Sequence, residues 1–461
     1  MARMKVLVEI EEQQNQAFTR HAAALDSPMN AVARSESLLQ RLTGLGLEVA
    51  DEMAPVPMFA GDTVAGAGGA TGFAAFASRA ESPDTASNTV VVSCEVPMAK
   101  LDALRQKEGV KVWANSELVL FQPEDTLDTT DHLLDLARSA GGVDCRPFRP
   151  AVSIKDIRQL LAVDALWSLG FRGQNIVVGI IDEGINGEIY PVIGGFARLG
   201  SQQPGTAAIT SHGSMCAADV LVAAPAAKLY DYPFLGIPTS GGALQMFQAV
   251  LDQRRRDGTP QLTTNSYGFV GVPPQEQFPE HEIWDLNHPL HRKVREVVAS
   301  GAPTFFAAGN CGANCPSGAC HPSGIGAGSS IHASNSLAEV ITVAAVNSRH
   351  ERIGYSSQGP GMFHPEKPDV AAYSHFYGNF GPGRPAGGDN NVFDNGTSAA
   401  TPVAAGVAAL LMSAFPNLTP DRLRQALVET AIDISKPGRD DDYGYGVINA
   451  AAALSFLRSN L

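Results

Sequence analysis

Two kinds of apolar run organise the last two thirds of the chain. Ile176-Val177-Val178-Gly179-Ile180-Ile181 and Pro303-Thr304-Phe305-Phe306-Ala307-Ala308 are short and unbroken, as strands of a parallel sheet covered on both faces read. Ala227-Lys228-Leu229-Tyr230 reads as a further strand, and residues 403–412 are apolar on every side, which predicts a helix sunk in the core. Pro402 just ahead of that run suits a first helical turn, where a missing N–H costs nothing.

The polar residues that interrupt this pattern fall at element ends. The first strand stops at Asp182-Glu183-Gly184, and the 303–308 strand stops at Gly309-Asn310. Open α/β sheets carry functional groups at such carboxyl ends. His212-Gly213-Ser214-Met215-Cys216 opens a small-residue helix, and Gly396-Thr397-Ser398-Ala399-Ala400-Thr401-Pro402 presents a hydroxyl flanked by small residues. A serine hydroxyl needs a neighbouring base to act as a nucleophile, and an imidazole needs a carboxylate to fix its tautomer. Ser398, His212 and Asp182 suit these three roles, and the Asn310 amide with the Ser398 N–H suits an oxyanion hole. The order Asp, His, Ser differs from that of the chymotrypsin and α/β-hydrolase folds.

These four motifs, in this order, resemble those of the subtilisin-like serine peptidases over residues 151–461. The resemblance implies an α/β catalytic domain with a central, mainly parallel sheet flanked by helices, and hydrolysis of peptide bonds through an acyl-enzyme. It further implies that substrate pairs as an added strand along Asn265-Ser266-Tyr267-Gly268, with Ala308-Gly309 on the other side of the cleft. Tyr443-Gly444-Tyr445-Gly446-Val447-Ile448-Asn449 matches the family's C-terminal signature. Two departures flank the catalytic groups: Glu183 stands where the family usually has Thr or Ser, and Ser214-Met215 where it has Thr-His. They bear on pocket detail and rate more than on activity. Two other readings are a binding module whose cleft is permanently filled and an esterase using the same triad; fluorophosphonate labelling and ester against peptide substrates separate them.

Residues 1–122 form a unit of their own. Strands are expected at 5–10, 47–50, 89–94 and 110–113, helices at 36–45 and 98–107, and a Gly/Ala-rich loop at 61–77. This α+β alternation resembles the inhibitory subtilase prodomain, a small ferredoxin-like domain. The resemblance implies that Val119-Leu120-Phe121-Gln122 lie in the substrate cleft, making the chain's own N-terminal domain a partner of its active site. Residues 123–150 read as an acidic linker containing a helix at 131–140 and ending in Pro147-Phe148-Arg149-Pro150, a natural place for processing.

With 461 residues, 44% hydrophobic and 17% charged, the chain is globular and long enough for two domains. A net charge of −14 argues against nucleic acid as a partner. No membrane span is expected, and Met1 to Ile10 reads as a strand rather than a secretory signal, which favours the cytoplasm. Cys311, Cys315 and Cys320 with His321 could bind zinc, form a disulfide or remain thiols; their spacing is not one of the strong metal pairs, and no metal or cofactor is expected. Cys216, one turn after His212, reads as a small buried hydrophobe. The short path from the His212 helix to the next strand leaves no room for a calcium loop there, and Asp440-Asp441-Asp442 reads as a solvated turn.

Overall fold

The computed structural model describes residues 3–11, 36–50, 53–59, 87–121, 142–145, 152–198, 201–234, 238–378 and 394–460. Gln122, the 61–77 loop, the 131–140 helix and the 147–150 segment lie outside these residues.

The N-terminal part runs β1 (Arg3–Glu11), α1 (Glu36–Gly44), β2 (Glu48–Val49), β3 (Val56–Phe59), β4 (Ser87–Pro97), α2 (Met98–Arg105) and β5 (Val110–Ala114). Its sheet has the order β2-β4-β1-β5, with β3 also on β4, and the pairs of β1 with β4 and β5 are antiparallel. The middle of β1, Val6-Leu7-Val8, is apolar without a break because both faces of the strand are covered there. Val6, Val8 and Ile10 join Val90, Val92, Leu101 and Leu104 in this unit's own core. Leu7, on the opposite face, packs with Met53, Val91 and Trp113 into a cluster that continues through Ile181, Phe234, Leu244 and Phe247 of the larger part. The even-numbered positions of β1 thus show the two-residue period of a strand packed on its own unit, whereas the odd-numbered face is charged except at Leu7 and meets the second body through Leu7 and the buried Glu9.

The chain continues through β6 (Val119–Leu120), β7 (Val143–Asp144), β8 (Val152–Ser153), α3 (Ile154–Leu160), α4 (Asp164–Trp167), β9 (Val177–Asp182), β10 (Val192–Gly195), α5 (His212–Ala223) and β11 (Lys228–Pro233). There follow α6 (Ser240–Asp257), β12 (Leu262–Asn265), β13 (Tyr267–Gly268), α7 (Pro289–Ala299), β14 (Thr304–Ala307), β15 (Ile341–Val346), β16 (Arg352–Ile353), β17 (Val370–Tyr373) and β18 (Phe376–Tyr377). The last helices are α8 (Gly396–Ala414), α9 (Pro420–Glu429) and α10 (Ala450–Asn460). The large sheet has the order β10-β11-β9-β12-β14-β15, with β17 on β15, and all of these pairs are parallel. From β9 the chain moves one way to β11 and then back the other way to β12, β14 and β15. That reversal places a crevice at the carboxyl ends of β9, β12 and β14.

α8 is long and apolar enough to cross a membrane by length and composition, but Gly396 through Met412 are all buried in the protein core. It crosses α5 closely: a Cβ on Gly406 would lie 2.3 Å from the Val220 carbonyl oxygen, so only glycine permits the approach. The helix begins earlier than the apolar run alone suggests, and Pro402 sits inside it rather than in its first turn. The end of the expected linker also differs from a tether. Val143–Asp144 pairs with β16, and Cys145 is disulfide-bonded to Cys315, which builds residues 143–145 into the catalytic body.

Between the two bodies the buried contacts are polar as well as apolar. Glu9, 3% exposed, accepts hydrogen bonds from Arg292 Nη1 at 2.8 Å, Trp113 Nε1 at 2.9 Å and Thr89 Oγ1 at 2.6 Å. Lys293 Nζ donates to the Pro57 carbonyl at 2.9 Å, and Asn115 Oδ1 accepts from Gly241 N–H at the start of α6. Burial alone would raise the Glu9 pKa, but Arg292 and the hydrogen bonds outweigh it and hold the carboxyl below its ordinary 4.5. Because the folded pKa is depressed, this contribution is complete above the ordinary value and fades as pH falls through the lower folded one. Arg292→Ala leaves Glu9 buried without its cation and is expected to cost about 3–5 kcal/mol, read by urea unfolding at pH 7 in a Ser398→Ala background. The deficit should shrink in acid. A loss under about 1 kcal/mol at pH 7 would show that the pair is not a buried anchor.

Candidate active site

Asp182 ends β9 and His212 opens α5, and both are almost fully buried. His212 Nδ1 lies 2.7 Å from Asp182 Oδ1, which fixes Nδ1 as the protonated nitrogen and turns Nε2 towards the cleft. Burial disfavours the charged imidazolium, but Asp182 and then Glu183 outweigh it, lifting the His212 pKa above 6.5. α5 is capped by Ser211, whose hydroxyl accepts from Ser214 N–H and donates to the Gly184 carbonyl. The helix ends at Ala223 and β11 starts at Lys228, so four residues make the whole connection.

Ser398 is the third residue of α8. Pro402 has no N–H to offer the carbonyl four residues back, so the Ser398 carbonyl is free to accept from Ser266 Oγ at 3.2 Å. The proline thereby converts a helix interior into a fixed link between the serine's backbone and the strand edge at Ser266. Asn310 follows β14, and its orientation is dictated by α8. Its Oδ1 accepts from Thr397 N–H at 3.0 Å and Thr397 Oγ1 at 2.9 Å. A backbone N–H can only donate, so the Asn310 NH₂ group must face the other way, into the cleft.

The cleft is filled by residues 116–121. Phe121 N–H donates to the Ser266 carbonyl at 3.0 Å, and β6 pairs antiparallel with β13, Leu120 opposite Tyr267 and Val119 opposite Gly268. On the other side Leu118 N–H donates to the Pro238 carbonyl at 2.6 Å, and Ser116 is gripped by the fully buried Glu282. The chain then delivers the Phe121 carbonyl oxygen to the centre of the site. It receives Asn310 Nδ2 at 2.6 Å and Ser398 Oγ at 2.7 Å. The Phe121 ring occupies a slot made by absent side chains: a Cβ on Gly268 would lie 2.6 Å from its Cζ, and one on Gly309 3.5 Å away. Asn335 Nδ2 closes that slot by donating to the carbonyls of Tyr267 and Ala307.

The structure thus brings Asp182, His212, Asn310, Ser398, Ser266, Tyr267, Gly268 and Gly309 to one crevice. Two expectations change. Asn265 faces the sheet, where its Nδ2 donates to the Phe305 carbonyl, and Ala308 N–H is spent on the Val343 carbonyl. In the intact chain the Ser398 hydroxyl donates to the Phe121 oxygen, whereas the part expected of the Ser398 N–H concerns the tetrahedral oxyanion. Of the choices for the cysteines, disulfides form: Cys311 with Cys320, bracing the loop after Asn310, and Cys315 with the distant Cys145. Thr397, Asn335 and the role of Pro402 escaped sequence reasoning. Proline four residues after a serine at a helix start is a readable signal for a freed carbonyl, but the Asn335 contacts depend on long-range packing. Among the described residues, Asp182, His212 and Cys216 form the single grouping of three possible metal ligands, within 4.8 Å of one another. The 2.7 Å contact already commits Nδ1 and Oδ1 to each other.

This arrangement can carry acyl transfer: a hydroxyl at a carbonyl, an amide donor on that carbonyl's oxygen, and a buried imidazole oriented by a carboxylate. Comparison with known proteins agrees. Residues 173–446 match the Peptidase_S8 subtilase family. Subtilisin DY of Bacillus licheniformis is 28% identical over 310 residues, covering 64% of this chain and 96% of its own, and subtilisin E of Bacillus subtilis is 29% identical over 306 residues, covering 63% and 68%. Fervidolysin from Fervidobacterium pennivorans, a keratinolytic enzyme related to subtilisin, shares the fold with a TM-score of 0.57 at 19% identity, over 98% of this chain and 61% of that one. Since the match takes in more than half of the chain and the sheet order and fold agree with it, this protein belongs to the subtilase family and is a subtilisin-like serine endopeptidase.

Proposed function

We propose that Ser398 is the nucleophile, His212 its base, Asp182 the group that orients His212, and Asn310 the oxyanion donor, and that the N-terminal domain inhibits the site by presenting Phe121 as a substrate-like residue. The observation that carries this reading is the Phe121 carbonyl oxygen held jointly by Asn310 Nδ2 and Ser398 Oγ. For attack, the hydroxyl proton turns from that oxygen to His212 Nε2, which has no hydrogen-bond partner among the described residues. Ser398 Oγ bonds to the carbonyl carbon, the oxyanion gathers charge against Asn310, and the imidazolium is stabilised through Nδ1 by Asp182. The proton then passes to the leaving amine, the acyl-enzyme forms, and water repeats the sequence. The Asn310 contact supplies about 3–4 kcal/mol at the transition state.

The same geometry supports a preference for a large apolar or aromatic residue before the cleaved bond, since the slot beside Gly268 and Gly309 accepts the Phe121 ring. Cleavage of the chain by itself would fall after Phe121. The two disulfides favour work in an oxidising compartment and weigh against the cytoplasm expected from the sequence.

Three outcomes test the reading. Ser398→Ala should abolish peptide hydrolysis, and Asn310→Ala should lower kcat by roughly 10²–10³-fold with KM little changed; wild-type turnover in either would contradict the assignment. Gly268→Ala should reduce kcat/KM for substrates with Phe before the cut by about tenfold relative to those with Ala; an unchanged ratio would remove the slot as the seat of preference. Mass spectrometry of incubated wild type should show a new N-terminus at Gln122, absent from Ser398→Ala. A cut confined to the 123–150 segment would mean that Phe121 binds without being the processed residue.

A further inference from the structure

Glu183 takes no part in the reaction just described, yet it touches the catalytic histidine at a second point. Its Oε2 accepts from His212 N–H at 2.7 Å, while its own N–H donates to Asp182 Oδ1 at 2.7 Å. Consecutive acidic residues at the end of β9 therefore hold one histidine at both ends, Asp182 by the ring and Glu183 by the backbone. The contact answers a local need. In α5 the cap hydroxyl of Ser211 is committed to Ser214 N–H, so the His212 N–H is an orphan donor at the positive end of the helix. A carboxylate satisfies it better than the shorter hydroxyl the family usually places there. Glu183 is itself kept in place by a contact from Gln202 Nε2 to its backbone carbonyl, and it is only half-buried.

The groups around the imidazole come from every side. Asp182 and Glu183 approach from β9 and the turn after it, Cys216 Sγ lies 3.9 Å from Nδ1 on α5 itself, and Ser398 stands on α8. Glu183 is the one carboxylate of that set outside the reaction. We infer that Glu183 is a positioning residue for His212: its carboxylate fixes the backbone end of the histidine and adds a second negative charge beside the imidazolium that forms when Ser398 gives up its proton. The inference rests on His212 being the base. Two effects follow, one of geometry and one of charge, and they can be separated by substitution. A base must be neutral to accept a proton, so extra negative charge nearby moves the acid limb of activity to higher pH and steadies the imidazolium in the transition state.

The experiment is the pH profile of kcat/KM for a Phe-containing peptide substrate, with the full-length chain as enzyme. Glu183→Gln keeps an oxygen acceptor and removes the charge; its acid limb should fall by about 0.5–1 pH unit. Glu183→Asp keeps the charge and shortens the reach; its acid limb should stay near that of wild type while kcat at the plateau drops. Glu183→Ala loses both, with the lower limb and a plateau kcat down about five- to tenfold, KM changing little. Superimposed acid limbs for wild type and Glu183→Gln, with His212→Ala inactive, would overturn the role of Glu183 alone. Activity retained in His212→Ala would overturn the assignment of the base and this inference with it. Comparable melting temperatures across the series confirm that the profiles report on the site rather than on folding.

Discussion

Asn310 can donate into the cleft only because its carbonyl oxygen is already committed. Thr397 N–H and Oγ1 both point at Oδ1, and since neither the backbone N–H nor the amide can exchange roles, the NH₂ group has one direction left. Thr397 immediately precedes Ser398 on α8, so the same first turn that presents the hydroxyl also aims the Asn310 amide. The geometry of that turn is in turn fixed by burial. α8 lies against α5 and the sheet, with a glycine at the crossing, and Pro402 frees the Ser398 carbonyl for Ser266. The direction of the Asn310 amide, the placing of the Ser398 hydroxyl and the link to the strand edge at Ser266 are thus three consequences of where one buried helix starts. Preorganisation of this kind costs nothing at the moment of reaction, which is why it is effective.

Much of this was legible in the sequence, for identifiable reasons. Asp182 and Asn310 follow apolar strands, His212 and Ser398 open small-residue helices, and a doubly buried strand ending in a carboxylate or an amide has few structural explanations. Among the described residues up to 121, the strands at β1, β2, β4 and β5 and both helices were also readable, because sheet alternation and helix period differ locally, but β3 (Val56–Phe59) was not expected. What escaped depended on distance in sequence. The Cys145–Cys315 bond joins residues 170 positions apart, and nothing near Cys145 marks it. Asn265 reads like part of a substrate edge, but one residue of register turns its side chain into the sheet. Pro402 was misplaced because the small residues before it lack the hydrophobic period that marks a helix, and tertiary packing rather than propensity makes them helical.

The contact between the two bodies is both apolar and ionic. Its apolar part is continuous with the catalytic core, through Leu7, Met53 and Trp113. Its buried ionic part, Glu9 with Arg292, and the grip of Glu282 on Ser116 are each worth most while both partners are present. Glu282 is held down to about 2, against its own burial, chiefly by His288 and His281, so it stays charged across the working range.

The central claim is that the Phe121 carbonyl covers the nucleophile. Labelling of Ser398 by a fluorophosphonate probe, followed on the intact unprocessed chain, measures that directly. Phe121→Asp places a charge in the slot beside Gly268, and the account predicts that its labelling rate rises at least about tenfold over wild type as the segment leaves the cleft. Equal labelling rates in the two intact chains would mean that residues 116–121 do not shield the serine, and would contradict the account.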